Sequence, residues 1–314
     1  MLPFETIALT GEEMTTRPLI DPALGLIDVD SPRSLVSLED GTVSIVIPAH
    51  NEEETIGEIT REAFRAIELL GVNGEVIVSA SACTDATADL AAKAGAHVVE
   101  SLAGKGNAMT AGIKASGSDI VCLIDGDFRY LGDEPLAVGL VKPILQGIAH
   151  ATIADLYWRP IYPQLWLFGF FAPLAGRVFP ELLPALGSTP WSGQRAALSE
   201  LWPAELPDDF TSDLAILLHW HDLNIRLRPV ATDDWVNPQR PKPDLLHKEF
   251  TLFADYALSH ERIDSTQREH LETWFASVHA HMAEYRPDQD DPQQFERSLL
   301  RHALAELDRV AQPL

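Results

Sequence analysis

The sequence predicts an α/β protein built on a doubly wound, mostly parallel sheet flanked by helices, with a helical tail at its C-terminal end. Three observations carry this. Short β-branched runs alternate with helical-period segments through the first 130 residues, which is the pattern of βαβ units. The strand segments are apolar throughout rather than alternating, as strands covered on both faces are. Beyond residue 250 the apolar residues recur only at helical spacing.

Taken in order, residues 1–40 are acidic, rich in Pro and Thr and without clear period, and form a leader. Val43-Ser44-Ile45-Val46-Ile47, stopped by Pro48, is the first buried strand. A helix follows, with Glu52, Glu53 and Glu54 placing acid in its first turn and Ile56, Ile59, Ala63 and Ile67 on one face. Residues 75–79 (Glu-Val-Ile-Val-Ser) are the second strand, 85–94 an Ala-rich helix, 96–100 the third strand and 106–115 a further helix. Residues 119–124 form the fourth strand and end in acid. In the second half, 158–179 is aromatic and Pro-rich, and 212–220 is an apolar helix capped by Thr211 or Ser212. The chain turns helical from Phe250. Thr266-x-x-Glu269 reads as a capping box ahead of Leu271, Trp274, Phe275, Val278 and Met282, and Asp291-Pro292 opens a last helix. The expected organisation is a leader (1–40), a catalytic domain (41–250, divided into 41–130 and 131–250) and a helical extension (251–314).

The formal net charge is −24 over 314 residues, which repels nucleic acid and anionic lipid. It equally repels an anionic substrate, so a site for one needs a local cation, either a metal ion or a placed Lys or Arg. No apolar run reaches the roughly 18–20 residues of a membrane span. The first ten residues lack a basic stretch followed by an apolar segment, and Cys83 and Cys122 are the only cysteines. A cytoplasmic protein is the expectation.

Asp125-Gly126-Asp127 follows directly on the fourth apolar strand. Two carboxylates at the carboxyl edge of a parallel sheet can share a hard cation, Mg²⁺ or Mn²⁺, which in turn can bridge diphosphate oxygens. The same tripeptide is also ordinary turn chemistry. Pro48-Ala49-His50-Asn51-Glu52 and Ser81-Ala82-Cys83-Thr84 stand at the ends of the first two strands, where a nucleoside could meet Ala49, His50, Glu52 and Ser81. Gly104-Lys105-Gly106 sets a lysine before a helix, the natural cation for phosphates, and no Walker loop is present. His219 with His221, and His279 with His281, are two apart on helices and face away from each other. The apolar run 165–171 is expected to be core or pocket wall rather than a lipid contact.

In order, VSIVIPAHNEEETIG, SASACTDATAD, GKGNAM and LIDGD resemble the family 2-type glycosyltransferases of the GT-A (Rossmann-like) fold, over roughly residues 42–250. Within them the chain is most similar to the glucosyl-3-phosphoglycerate synthases, through 86–96, Gly-Lys-Gly and Pro190-Trp191-Ser192-Gly193-Gln194-Arg195-Ala196. The resemblance implies transfer of a hexose from a UDP- or GDP-linked donor to a small-molecule hydroxyl, with retention, helped by Mg²⁺ or Mn²⁺. It places the nucleotide sugar on Pro48, Ala49, His50, Glu52, Ser81, Lys105, Asp125, Gly126, Gly193 and Gln194. Asp125, Asp127 and His247 are its candidate metal ligands, and Asp213, Lys105 and Asp125 its catalytic residues. A homodimer is implied by resemblance alone. Three departures stand out: Ala80 replaces the usual Asp before Ser81, Asn237 lies where the synthases carry a metal-binding His, and Leu165 and Leu167 replace their phosphate-gripping Arg and Thr. Transfer to a polyprenyl phosphate and noncatalytic binding of a nucleotide sugar are the alternatives.

Overall fold

Seven fully buried residues make β1 (Val43–Ala49), which runs through Pro48 before it ends. In the computed structural model, residues 33–156, 165–185, 192–232, 235–236, 243–286 and 288–310 are described. Most of the expected leader, the start of the aromatic segment at 157–164, Pro190 and Trp191, and Asn237 with most of its neighbours lie outside them.

β1 pairs in parallel with β2 (Gly74–Ser81) and β4 (Ile120–Leu123), and β2 pairs in parallel with β3 (His97–Ser101). The crossovers are α1 (Ile56–Leu70), α2 (Thr87–Lys93) and α3 (Lys105–Ala115). Beyond β4 lie β5 (Arg129–Tyr130), α4 (Leu136–Leu145) and β6 (Ala151–Asp155), then β7 (Arg195–Leu198), α6 (Ser212–Asp222), β8 (Leu227–Ala231) and β9 (Trp235–Val236), with α5 (Ala172–Val178) between β6 and β7. The main sheet has the order β3-β2-β1-β4-β7-β6-β8, and β5 with β9 forms a separate ribbon. The sheet is mostly parallel, as expected, with one reversed strand that matters for the site. β7 is antiparallel to both β4 and β6, with Leu123 opposite Arg195.

Alternating residues of β1 and β4 feed two cores. One face packs on α1 and α4 through Ile45, Ile47 and Cys122, and the other on α3 and α6 through Val46, Val121 and Leu123. A third core joins the segment from Leu165 to Leu182 with α7 (Pro243–Ser259), α8 (Ser265–Met282) and α9 (Pro292–Val310). Here Phe170 meets Phe250, Phe253 and Phe275 edge to face. Leu165 and Leu167 are buried in this core, so the aromatic run is interior packing. Among the described residues no helix is long and apolar enough to cross a membrane.

Several boundaries differ from expectation, each for a local reason. α1 begins at Ile56, so Glu52 to Glu54 lie in the preceding loop, where the Glu52 carbonyl accepts from Thr55 and Ile56. Thr211 does not cap α6; its hydroxyl donates to Asp209 at 2.6 Å. The capping box of α8 is Asp264 with Gln267 rather than Thr266 with Glu269, because extended Asp264 accepts from Gln267 N at 2.8 Å and Gln267 accepts from Asp264 N at 2.7 Å. α7 starts at Pro243, seven residues before Phe250.

Candidate active site

The ends of β1 and β2 are stitched together before any ligand arrives. The His50 imidazole Nδ1 lies 2.6 Å from the Ser81 carbonyl, and Thr84 N donates to the Asn51 side chain at 2.8 Å. Asn51 and Ala82 both hold positive φ, 56° and 45°. For alanine this conformation is strained, the kind of backbone found where a site over-determines its loop. The Ser81 hydroxyl donates to the Leu102 carbonyl at 2.8 Å, so it braces the neighbouring loop. Ala80 is buried beside Ala49 in register, and offers no polar group there.

Asp125-Gly126-Asp127 turns at the end of β4. Gly126 N donates to the Pro48 carbonyl at 3.1 Å, and Thr55 donates to the Gly126 carbonyl at 2.7 Å. A Cβ on Gly126 would stand 3.0 Å from that of Ala49, so the turn needs its glycine to lie against β1. Asp125 is held at two points by Gln194, which accepts from Asp125 N at 2.8 Å and donates its amide to Oδ2 at 2.9 Å.

Lys105 opens α3. The glycines on either side serve close packing: a Cβ on Gly106 would fall 1.6 Å from the Pro207 carbonyl oxygen, and one on Gly104 2.2 Å from that of Asp208. So placed, Lys105 Nζ lies 3.2 Å from Asp125 Oδ1 and 2.8 Å from Asp213 Oδ2. Burial alone would pull the ammonium pKa down, but the two carboxylates more than offset it and hold the group above the ordinary lysine range. Asp213, in the first turn of α6, gives its other oxygen to Arg195 Nη2 at 3.1 Å. Arg195 also donates to the Asp213 carbonyl at 3.0 Å and the Ser192 carbonyl at 2.9 Å, and is wholly buried over Trp220.

Two carboxylates and two cations thus form a closed, electrically balanced cluster at the carboxyl ends of β1 and β4, with side-chain exposures of 12% for Lys105, 19% for Asp125, 9% for Asp213 and 0% for Arg195. Gly193 lies directly against it: a Cβ there would meet Asp125 Oδ2 at 2.2 Å and Lys105 Nζ at 2.8 Å. Phe210 borders the same lysine, its ring 5.7 Å from Nζ. The expected residues Lys105, Asp125, Gly193, Gln194 and Asp213 are therefore brought together, with Pro48, Ala49, His50 and Gly126 adjoining and Asp127 half-buried on the turn. His247 is not drawn in. It is exposed on α7, 3.9 Å from Glu272 and edge-on to Phe275. No three His, Cys, Asp or Glu side chains form a metal-binding group among the described residues. The sequence alone gives Arg195 no role, since a buried arginine reads like a surface one; its place directly after Gly193-Gln194 is the usable signal.

The sequence profile of Glycosyl transferase family 2 matches residues 44–152, which spans β1 to β6 and the Asp-Gly-Asp turn. The glucosyl-3-phosphoglycerate synthase of Mycobacterium tuberculosis is 34% identical over 180 residues, 51% of this chain and 54% of the relative, so the chain spans about half the length of the curated relatives it matches. An undecaprenyl-phosphate 4-deoxy-4-formamido-L-arabinose transferase of an Enterobacter species is 34% identical over 100 residues, 29% of this chain and 31% of that protein. The crystal structure of the Mycobacterium tuberculosis synthase with Mn²⁺, UDP and glucosyl-3-phosphoglycerate aligns with a TM-score of 0.56 at 28% identity, over 72% of this chain and 82% of that one. A second mycobacterial crystal structure aligns with a TM-score of 0.57 at 30% identity, over 72% and 77%. Together with the mixed sheet and the acidic turn closing β4, these place the chain in the family 2 glycosyltransferases of the GT-A fold.

Proposed function

We propose that the chain transfers a hexose from a UDP-linked donor to a small-molecule hydroxyl acceptor, with a divalent cation and with retention at the anomeric carbon. The observation that carries this reading is the Lys105–Asp125–Asp213–Arg195 cluster beside the Asp-Gly-Asp turn. The crystal structures of the Mycobacterium tuberculosis synthase with UDP and Mn²⁺ or Mg²⁺ support uracil as the base.

The donor set fits a cation held jointly with substrate. Asp125 meets Lys105 and the Gln194 amide, and Asp127, half-buried on the same turn, is the carboxylate we assign to the metal. Mg²⁺ is commonly bound through only one or two carboxylates plus substrate phosphates and water, so no three-residue cluster is required. The bound cation would offset charge on the departing diphosphate. Asp125, fixed by Gln194, orients the sugar, and Lys105 contributes positive potential beside it. Both oxygens of Asp213 face cations at 3.1 Å or closer, the arrangement of an electrostatic anchor rather than of a proton acceptor. That favours attack of the acceptor hydroxyl on the face from which the diphosphate departs, the proton leaving to a phosphate oxygen. Leu165 and Leu167 are core residues, which removes the phosphate grip that a phosphoglycerate acceptor would need there. The burial of Leu165, Leu167, Phe170 and Phe171 also favours a small-molecule acceptor over a polyprenyl chain.

Calorimetric titration with UDP, GDP and their glucose and mannose conjugates, with and without Mn²⁺, tests the donor half. UDP binding that requires Mn²⁺ and is lost in Asp127→Ala is the expected result. Binding of none of them in either condition would overturn the reading, and binding untouched by Asp127→Ala would remove the metal assignment.

A further inference from the structure

The loop 207–211 decides where Lys105 and Asp213 meet. Its Asp208 carbonyl accepts from Gly106 N at 3.1 Å, which fixes the opening turn of α3 beside Lys105. The two glycines that flank Lys105 pack directly on the Pro207 and Asp208 carbonyls, so α3 follows this loop closely. The same loop runs straight into α6. The Asp209 carbonyl accepts from Ser212 N at 3.3 Å, and the Phe210 carbonyl from Asp213 N at 3.4 Å. A shift of the loop therefore moves both ends of the 2.8 Å Lys105–Asp213 pair at once.

One carboxylate holds the loop. Asp209 Oδ1 accepts from Thr211 N at 3.0 Å and from the Thr211 hydroxyl at 2.6 Å, which closes an Asx turn over residues 209–211. Its Oδ2 accepts from Lys248 of α7 at 2.6 Å. Burial raises the pKa of this carboxyl, but the bonds from Lys248 and Thr211 outweigh it and hold the group below the ordinary aspartate value. Thr211 is buried, so removing the carboxylate strips its two donors of their acceptor where water does not readily replace it. Lys248 is exposed, and its pair adds little beside the Asx turn. Asp209 thus acts on the charged cluster through the backbone of its loop.

We propose that Asp209 is a positioning residue of the transfer site: its Asx turn sets the loop that places Lys105 against Asp213, and so aligns the charged cluster for the donor. The placement of Lys105 stands on geometry alone, while the effect on the donor rests on the transfer reading above. The test labels the full chain with acetic anhydride and follows Lys105 by mass spectrometry. In the native chain Lys105 should react slowly, as a buried and protonated amine does. Asp209→Ala should raise its labelling rate by about tenfold or more, with amide hydrogen exchange in β1 and β4 unchanged. The same variant should lower UDP-glucose affinity in Mn²⁺ by about tenfold, read by calorimetry. Asp209→Asn keeps an acceptor for Thr211 and gives up the charge, so it should restore most of both losses, and Lys248→Ala should stay within about threefold of native. Lys105 labelling unchanged in Asp209→Ala, a rise matched by faster exchange throughout β1 and β4, or an Asp209→Asn variant no better than Asp209→Ala would overturn the proposal. Faster labelling with undiminished UDP-glucose binding would remove Asp209 from the reaction. No UDP-glucose binding by the native chain, with labelling as expected, would overturn the transfer reading and leave the placement of Lys105 by Asp209 intact.

Discussion

Arg195 is the residue on which the site is hung. Removing one partner of a buried charge cluster leaves the others desolvated and unmatched, at a cost of about 3–5 kcal/mol. Arg195→Met should therefore lower the unfolding free energy obtained from urea denaturation by an amount of that order, and Arg195→Lys should recover little, since an ammonium cannot fork to the Asp213 carboxylate, the Asp213 carbonyl and the Ser192 carbonyl together. A loss under about 1 kcal/mol would show that the cluster does not anchor the fold. Gly193→Ala acts differently. Its methyl displaces the ends of Asp125 and Lys105 rather than backbone, so calorimetry should show UDP affinity falling by about tenfold or more. Much of the site is legible because its residues end strands or open helices: Lys105 and Asp125 can be placed from local pattern, whereas Asp213 enters only through the family resemblance. Arg195 cannot be placed, because burial is a property of the packed chain and its four-residue strand is too short to show period.

At the scale of elements, the first four strands and their helices follow from apolar runs separated by polar loops, although β1 continues through Pro48 to Ala49. The antiparallel insertion of β7 does not follow, since strand direction is decided by where the chain returns from the long segment after β6. Two capping frames compete over residues 264–269, each with acid or hydroxyl followed three residues on by Gln or Glu, and backbone geometry selects Asp264. One element contact carries a pH signature. His150, just ahead of β6, accepts from Arg226 N at 3.0 Å through Nδ1 and reaches the Ser34 carbonyl at 3.4 Å through Nε2, an arrangement only the neutral ring allows. Burial holds its pKa below the ordinary histidine value of 6.5. The unfolded chain then binds the extra proton first, so this contribution is fully present above about pH 6.5 and is lost as the pH falls toward the folded value. Urea midpoints at about pH 5 and about pH 7.5 should differ in the native chain, and His150→Gln should narrow the difference. An unchanged gap would assign the acid sensitivity elsewhere.

For the whole molecule, the net charge of −24 sets the response to salt. Raising ionic strength from about 10 mM to about 150 mM shortens the screening length from about 30 Å to about 8 Å and relieves self-repulsion. Scanning calorimetry should show the melting temperature rising by a few degrees; a flat or falling trend would mean that the acidic groups are already locally matched. Two of the three cores meet at α6, whose two sides pack into one sheet face and into the C-terminal helices. The reversed strand beside it has a further consequence. Side chains alternate along β7, so sliding it by one residue against β4 would turn Arg195 toward α1 and α4 and leave Asp213 facing Ala196. The charged cluster therefore works as a lock that only one alignment of the sheet can close, and a chain assembled out of step would forfeit both its site and the stability that marks it as finished.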